Sequence, residues 1–254
     1  MKTAGFKKRM LDGDRLVGTF IKTASHDILE VLAISGLDFV CLDAEHSAFD
    51  RKSMDVCLAL ARALDLPTIV RVGSGSAENI LQALDSGAVG VVVPHVTDAA
   101  RAAEVAKAAR FGLGGRGFAG ATRWAGLGTK SMPEVLAQSA AETFVLAQIE
   151  EPEGVDAVAE IAATVGIDGL FIGPADLSIS YGKTDTNSPE LHAAYKAVGE
   201  AARAAGKAFV TWAPTVEKAA EWRSYGVNVF FIGSEHSWIL QGARAVGSDI
   251  RDLD

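Results

Sequence analysis

The sequence predicts an α/β fold in which eight parallel strands, each followed by a helix, close into a (β/α)8 barrel. Short β-branched or aromatic runs alternate eight times with alanine-rich helical patterns. Most of these runs are apolar throughout, as expected for parallel strands that are covered on both faces. Eight repeats favour a closed barrel over the alternative, an open doubly wound sheet. With 254 residues, of which 49% are apolar, residues 1–254 are predicted to form a single domain around one core.

The predicted strands comprise residues 16–21, 39–43, 68–72, 89–93, 144–149, 169–172, 208–212 and 229–232. Helical patterns follow each strand, and four begin after a residue suited to capping the first turn: Ser25, Asp50, Ser76 and Thr97. Gly36 and Gly87 are placed to end two helices, and a later helix is predicted to start near Pro189.

Two connections are longer than the plain repeat requires. Residues 111–141 are rich in glycine and carry Arg116, Arg123 and Trp124. Long loops in compact domains often act as lids or binding loops. Residues 175–189 form a second, polar insert, and neither connection shows the change in composition that would indicate another domain.

Charge and composition exclude several classes of partner. The formal net charge is −8 and no basic cluster is present, so neither nucleic acid nor an anionic membrane is expected as the main partner. Cys41 and Cys57 both lie in apolar periodic segments, which indicates free thiols in a reducing compartment. No secretion signal and no apolar run of the ~20 residues needed to span a membrane is recognisable, so a cytoplasmic protein is expected.

Polar side chains are concentrated where the predicted strands end. In a barrel of this kind the carboxyl ends of the strands meet at one rim, where catalytic residues are found. Any one of these residues could merely end a strand or cap a helix, but together they indicate a site. They are Asp43, Glu45, His46, Arg71, Gln148, Glu150 and Asp176.

Glu150 and Asp176 offer the hard oxygen ligands that Mg²⁺ or Mn²⁺ prefers. Glu150 could instead favour the dipole of the next helix, although Glu151 and Glu153 could already fill that role.

Acid–base chemistry is predicted for His46, since a carboxylate such as Asp43 could fix its tautomer. Arg71 has the planar fork suited to a carboxylate or an enolate oxygen, or to an ion pair with the rim acids. Lys22 is the only lysine near a strand's carboxyl end and so the only Schiff-base candidate; it is interpreted as solvent-exposed or loop-positioning.

Over essentially its whole length the chain resembles the HpcH/HpaI aldolase family of metal-dependent pyruvate aldolases. The resemblance rests on Asp43-Ala44-Glu45-His46, Arg71, Gln148-Ile149-Glu150 and Phe171-Ile172-Gly173-Pro174-Ala175-Asp176-Leu177-Ser178. It implies that Glu150 and Asp176 bind a divalent cation (Mg²⁺, Mn²⁺ or Co²⁺) and that His46 and Asp43 form a catalytic dyad. Arg71 would steady the enolate, and Glu45 would hold a metal-bound water.

The resemblance also implies a substrate and an assembly. Gln148, Gly173 and Ala175 would contact pyruvate, and Phe20, where several members have Trp, belongs to the same substrate-binding set. The expected reaction is reversible cleavage of a 4-hydroxy-2-oxo acid to pyruvate, or a close 2-oxo acid, and an aldehyde. Arg123, with Arg116 and Trp124, is a candidate for gripping the aldehyde. The last helix would be exchanged between subunits of a homohexamer built from dimers.

Three alternatives stay open at the level of sequence. One is an acyl-CoA carbon–carbon lyase similar to the citrate lyase beta subunit. Another is a Schiff-base aldolase that uses Lys22. The third is a barrel that binds 2-oxo acids without turnover.

Overall fold

A computed structural model describes residues 2–253. Eight parallel strands form a closed barrel in which each strand pairs with the next and β8 pairs with β1, so the predicted fold class is confirmed. The strands are β1 (Leu16–Ile21), β2 (Phe39–Asp43), β3 (Thr68–Arg71), β4 (Gly90–Val93), β5 (Phe144–Ile149), β6 (Gly169–Ile172), β7 (Ala208–Ala213) and β8 (Val229–Ser234).

Helices surround the barrel and fill the long connections. They are α1 (Lys2–Leu11), α2 (His26–Ala33), α3 (Arg51–Ala63), α4 (Ala77–Ser86), α5 (Ala99–Ala108), α6 (Met132–Glu142), α7 (Pro152–Asp156), α8 (Val158–Ala163), α9 (Pro174–Ser180), α10 (Pro189–Ala205), α11 (Val216–Arg223) and α12 (Glu235–Arg251). No helix within residues 2–253 is both long enough and apolar enough to cross a bilayer.

The observed bounds match the predicted strands closely because each strand is a mostly apolar run that ends at, or is followed directly by, a polar residue, glycine or proline. All eight strands lie within two residues of their predicted bounds. Ser25, Asp50 and Ser76 cap their helices as predicted. Thr97 is wrong as a cap: Asp98 takes that position, because its carboxylate accepts the N–H of Arg101, three residues on, at 2.7 Å.

The amino end of the barrel is closed by α1, an element that the sequence pattern did not predict. Two residues of this helix, Phe6 and Met10, are buried. The centre of the Phe6 ring lies 5.4 Å from that of Phe39 and 5.7 Å from that of Phe144. Gly90 makes room for this packing, because a Cβ at that position would come within 2.4 Å of the Phe144 ring. Aromatic side chains therefore fill and close the core at this end of the barrel.

The long connection of residues 111–141 packs on the outside of the barrel. Trp124 is fully buried, and the Arg62 guanidinium at the end of α3 lies 5.5 Å from its ring. Arg116 is buried and bonds Asp85 near the end of α4. The second half of the connection forms α6. This connection is thus part of the outer layer rather than a lid over the strands' carboxyl ends.

The last helix, α12, is exposed along almost all of its length. Only Glu235, its first residue, is buried. Four of its apolar side chains are at least half exposed: Ile239, Leu240, Val246 and Ile250. A groove of about 270 Å³ opens between α11 and the outer face of β1 and β8, lined by apolar residues that include Val17, Ala219, Phe230 and Ile232. Both apolar surfaces lack a covering element among residues 2–253.

Candidate active site at the carboxyl end of the barrel

A cleft of about 400 Å³ opens at the carboxyl ends of the strands. The barrel brings the ends of β1, β2, β3 and β6 to its walls, as the sequence pattern predicted. Its lining includes Phe20, His46, Arg71, Gly173, Ala175 and Asp176. Trp212 and Pro214 from β7 and its following loop add an apolar wall, which sequence reasoning did not assign to the site.

Asp43 and Arg71 form a buried, two-pronged pair at the end of neighbouring strands. β2 and β3 pair in register so that the two residues lie side by side. Arg71 donates from Nε to Asp43 Oδ1 at 2.9 Å and from Nη2 to Oδ2 at 2.7 Å. Bidentate pairs of this kind fix both position and orientation. Arg71 is also held over the Phe20 ring, 4.5 Å from its centroid.

Lys22 completes the charge balance around Asp43. Its Nζ lies 2.9 Å from Asp43 Oδ2, and its side chain is about one-third exposed and lines the cleft. Lys22 was interpreted as solvent-exposed or loop-positioning; it is partly exposed, and its ammonium pairs with the buried Asp43 carboxylate. Burial alone would raise the pKa of Asp43, but the hydrogen bonds and charge of Arg71, with Lys22, lower the pKa to about 2.

His46 reaches Asp43 through its backbone. The N–H of His46 donates to Asp43 Oδ1 at 3.2 Å, whereas the imidazole is 55% exposed and its Nε2 lies 3.7 Å from Glu45 Oε2. Arg71, Lys22 and two backbone N–H groups already occupy the Asp43 carboxylate. The predicted pairing of Asp43 with the imidazole is therefore absent from the described hydrogen bonds, and a catalytic role for His46 stays a prediction.

Glu150 is a buried carboxylate, only 3% exposed, held by one donor from β5 and one from the loop after β4. Its Oε1 accepts the backbone N–H of His95 at 2.8 Å, and its Oε2 accepts the amide of Gln148. Burial raises the pKa of Glu150 above its usual value. Gln148 Oε1 is buried without a hydrogen-bond partner within residues 2–253. Gln148, which was predicted to contact the substrate, therefore has an acceptor oxygen that forms no hydrogen bond within these residues.

Glu45, His95 and Glu150 form a cluster that sequence reasoning missed. One ligand atom from each lies within 4.8 Å of the others. His95 follows β4, and its imidazole Nδ1 lies 2.5 Å from Glu151 Oε1 and 3.2 Å from Glu150 Oε1. Burial lowers the pKa of His95, but the hydrogen bond to Glu151 and the surrounding carboxylates raise it overall. The sequence did contain a signal for His95: Pro94-His95 directly follows a predicted strand, as the other rim residues do.

Asp176 stands in the first turn of α9 and lines the cleft. It lies outside the cluster of Glu45, His95 and Glu150, so its shared ligation with Glu150 stays a prediction. The two are linked through Gly173, the residue before α9. A Cβ at Gly173 would come within 3.3 Å of Glu150 Oε2, so the backbone that carries Asp176 starts directly against the Glu150 carboxylate.

The donor set fits a divalent cation. Two carboxylates and an imidazole are ligands common to Mg²⁺, Mn²⁺ and related ions, although Mg²⁺ favours oxygen. Glu45 Oε2 lies 3.3 Å from Arg71 Nε, whereas Glu45 Oε1 lies on the side of His95, 3.8 Å from its Nε2. Burial raises the pKa of Glu45 and of Glu150, and a bound cation would favour the ionised form of both acids.

Arg123 is not brought to the rim. Its guanidinium pairs with Asp55 on α3 and donates to the Ser86 carbonyl at the end of α4 at 3.0 Å. These contacts hold Arg123 on the outside of the barrel, together with Arg116. The hypothesis that Arg116, Arg123 and Trp124 grip the aldehyde is therefore unsupported within one chain, because their charged and aromatic groups are used in packing the outer layer.

Comparison with known proteins places the chain in one family. Residues 16–241 match the profile of the HpcH/HpaI aldolase/citrate lyase family. The chain belongs to this family. A hydroxypyruvate/pyruvate aldolase of Paraburkholderia phytofirmans is 32% identical over 257 residues, covering 98% of each chain. A 5-keto-4-deoxy-D-glucarate aldolase of an Enterobacter species is 31% identical over 91% of this chain and 90% of its own.

The similarity extends to solved structures. The crystal structure of an HpcH/HpaI aldolase/citrate lyase family protein from Burkholderia cenocepacia superposes with a TM-score of 0.92 at 32% identity. It covers 98% of this chain and all of the other. The protein is therefore an aldolase or lyase by family, with the rim cleft at the position where barrel enzymes carry their active sites.

Proposed function

We propose that this HpcH/HpaI family member catalyses the reversible aldol cleavage of 4-hydroxy-2-oxo acids to an aldehyde and pyruvate, or a close 2-oxo acid such as hydroxypyruvate. The observation that carries the proposal is the buried Asp43–Arg71 pair, which faces the cleft beside the carboxylates of Glu45 and Glu150. Relatives named as hydroxypyruvate/pyruvate aldolases support this donor class.

Glu150 and Asp176, with Glu45 nearby, would hold a divalent cation. When bound, that cation would supply Lewis-acid polarisation of the keto group. The chain's own contribution is to bury these acids at the rim and to keep bulky side chains away at Gly173 and Ala175, so that the carboxylate end of a 2-oxo acid could approach the backbone.

Arg71 would stabilise the negative charge that develops on the substrate oxygen. Its Nε and Nη2 are fixed by Asp43, and the guanidinium lines the cleft, so its charge is oriented before the substrate arrives. A donor held in this way requires no reorganisation during the reaction. Lys22 and Arg71 together keep Asp43 ionised, which holds the arginine in its orientation.

His46 would move the proton. Its imidazole is exposed to the cleft, where it could accept the proton of the substrate's C4 hydroxyl as the bond between C3 and C4 breaks. The proton would then pass to C3 of the enolate, which gives pyruvate. In the synthetic direction it would move from C3 of pyruvate to the aldehyde oxygen. The apolar wall of Phe20 and Trp212 would exclude water from the carbanionic C3.

The test is a pyruvate-release assay with a panel of 4-hydroxy-2-oxo acids, run with Mg²⁺, Mn²⁺ or Co²⁺ and after exhaustive chelation. Cleavage should be lost on chelation and restored by cation. Treatment with borohydride and pyruvate should leave Lys22 unmodified. Activity that survives chelation, together with a trapped Lys22 adduct, would establish the Schiff-base alternative. Cleavage of thioesters in place of oxo acids would indicate the acyl-CoA lyase, and pyruvate affinity without turnover a binding protein.

The assembly proposed is a homo-oligomer in which α12 is exchanged between subunits, with a hexamer built from dimers as the expected form. The exposed apolar side chains of α12 and the uncovered groove beside β1 and β8 support it. Each surface is apolar, and each would be covered if α12 of one subunit lay in the groove of another. Light scattering should give a mass several times that of one chain, and Val216→Glu, at a 72% exposed residue that lines the groove, should lower it. A monomeric wild type would refute the exchange.

A further inference from the structure

His95 has a backbone conformation that non-glycine residues seldom adopt. Its φ is +57°, which lies in the left-handed region where most side chains are strained. Such conformations persist where the surrounding structure fixes them, and they concentrate at functional sites. Here the N–H of His95 donates to Glu150 Oε1 at 2.8 Å, so the strained backbone places the imidazole directly above a buried carboxylate.

The imidazole is oriented by a second acid. Its Nδ1 lies 2.5 Å from Glu151 Oε1, while Nε2 lies 3.8 Å from Glu45 Oε1. When Nδ1–H donates to Glu151, the lone pair of Nε2 is directed away from Glu151. In many metal sites a carboxylate holds one ring nitrogen of a histidine so that the other can bind the ion.

We propose that His95 is a nitrogen ligand of the divalent cation and that Glu151 orients it for this role. The inference rests on the proposed metal-dependent function and adds a ligand to it. Two observations support it. One ligand atom each of His95, Glu45 and Glu150 lies within 4.8 Å of the others, and Glu151 occupies Nδ1 of His95, which leaves Nε2 at 3.8 Å from Glu45 Oε1. Glu151 is then a positioning residue that acts through the imidazole.

A nitrogen ligand changes which cation the site prefers. Mg²⁺ favours oxygen ligands, whereas Mn²⁺, Co²⁺ and Zn²⁺ accept imidazole with increasing affinity. The protein should therefore bind Co²⁺ more tightly than Mg²⁺, and this preference should depend on His95.

The experiment measures the metal directly, in the full-length wild type and three variants. His95→Asn removes the imidazole but keeps a residue that tolerates the left-handed backbone. Glu151→Gln removes the orienting charge. His26→Ala is a matched control at an exposed histidine whose ion pair within residues 2–253 is with its neighbour Asp27. Electron spin-echo spectroscopy of bound Mn²⁺ reports coordinated nitrogen, and calorimetry gives the affinities for Co²⁺ and Mg²⁺.

Wild type and His26→Ala should show nitrogen coupling to Mn²⁺, and His95→Asn should not. Co²⁺ affinity should fall on the order of 10–100-fold in His95→Asn and by about tenfold in Glu151→Gln, with a smaller change for Mg²⁺. Circular dichroism should show that all variants fold.

The alternative is that a protonated His95 merely fills the cation's place when no cation is bound. In that case wild type would show no nitrogen coupling and His95→Asn would bind cations more tightly; either result would overturn the proposal. Nitrogen coupling without aldol turnover would contradict the proposed function while leaving the ligand assignment intact.

Discussion

The two ends of this barrel are built from the same eight strands but by opposite chemistry. At the amino end, α1 places Phe6 and Met10 against aromatic rings from β2 and β5, and the contacts are apolar. At the carboxyl end, the strands finish in Asp43, Arg71 and Glu150, all buried. Burial of apolar side chains stabilises the amino end. At the carboxyl end burial costs free energy, because a charge removed from water is costly unless it is paired. The barrel therefore separates the end that stabilises it from the end that can react.

Two buried arginines make the same contrast on a smaller scale. Arg71 bonds Asp43 at the rim, and the carboxylates around it raise its pKa despite burial. Arg116 bonds Asp85 on the outer layer, where burial lowers its pKa. Both residues looked functional in the sequence. Position relative to the strand ends, rather than residue type, distinguishes a site residue from a packing residue.

The largest expected effect lies at the apolar end. Phe6→Ala should lower the free energy of unfolding by about 3–5 kcal/mol, because it leaves a cavity among aromatic rings. Leu113→Ala, at a fully exposed position, should change it by no more than about 0.5 kcal/mol. Urea unfolding measures both. Turnover of Phe6→Ala, assayed while it is still folded, should match wild type. A specific loss of turnover would mean that the two ends are coupled.

The second effect lies at the charged end. Arg71→Lys should lower turnover by ~10²–10³, since a lysine ammonium cannot both replace the two hydrogen bonds to Asp43 and present a fixed charge to the substrate oxygen. Arg116→Lys is the control: it should reduce stability and leave turnover unchanged. Steady-state kinetics gives the turnover of both variants. If Arg116→Lys instead loses activity, the outer connection takes part in the reaction and the distinction drawn above fails.

The smallest effect is a pH dependence of stability. The pKa of Asp43 is about 2 in the folded protein and ~3.9 in an unfolded chain. A lowered pKa means that Asp43 stabilises the fold fully above the unfolded value, and that this contribution is lost as the pH falls from about 4 to about 2. The full stabilisation is about 2–3 kcal/mol, most of which is lost by pH 2.

Unfolding of wild type and Asp43→Asn should be compared from pH 6 to pH 2. The variant should be less stable at pH 6, and the gap should narrow by about 2 kcal/mol at the acid end. A gap that stays constant over this range would show that Asp43 is not held ionised by Arg71 and Lys22.

The sequence by itself determined the barrel and the composition of its rim. Each strand is a mostly apolar run that ends at, or is followed directly by, a polar residue, glycine or proline. This local pattern is sufficient to locate β1 to β8 and to assign Asp43, Arg71 and Glu150 to one face. Family motifs such as Gly173-Pro174-Ala175-Asp176 are likewise contiguous, so they could be recognised without a structure.

Only the tertiary structure decided which of these groups meet. Lys22 joins Asp43 from β1, His95 meets Glu150 across 55 residues of chain, and Arg123 is held on the outer layer by Asp55, 68 residues away. The closure of α1 over the amino end depends in the same way on distant rings. Such contacts depend on how the closed barrel aligns neighbouring strands and on which charged partner a buried group finds, and neither is encoded in the local periodicity of the chain.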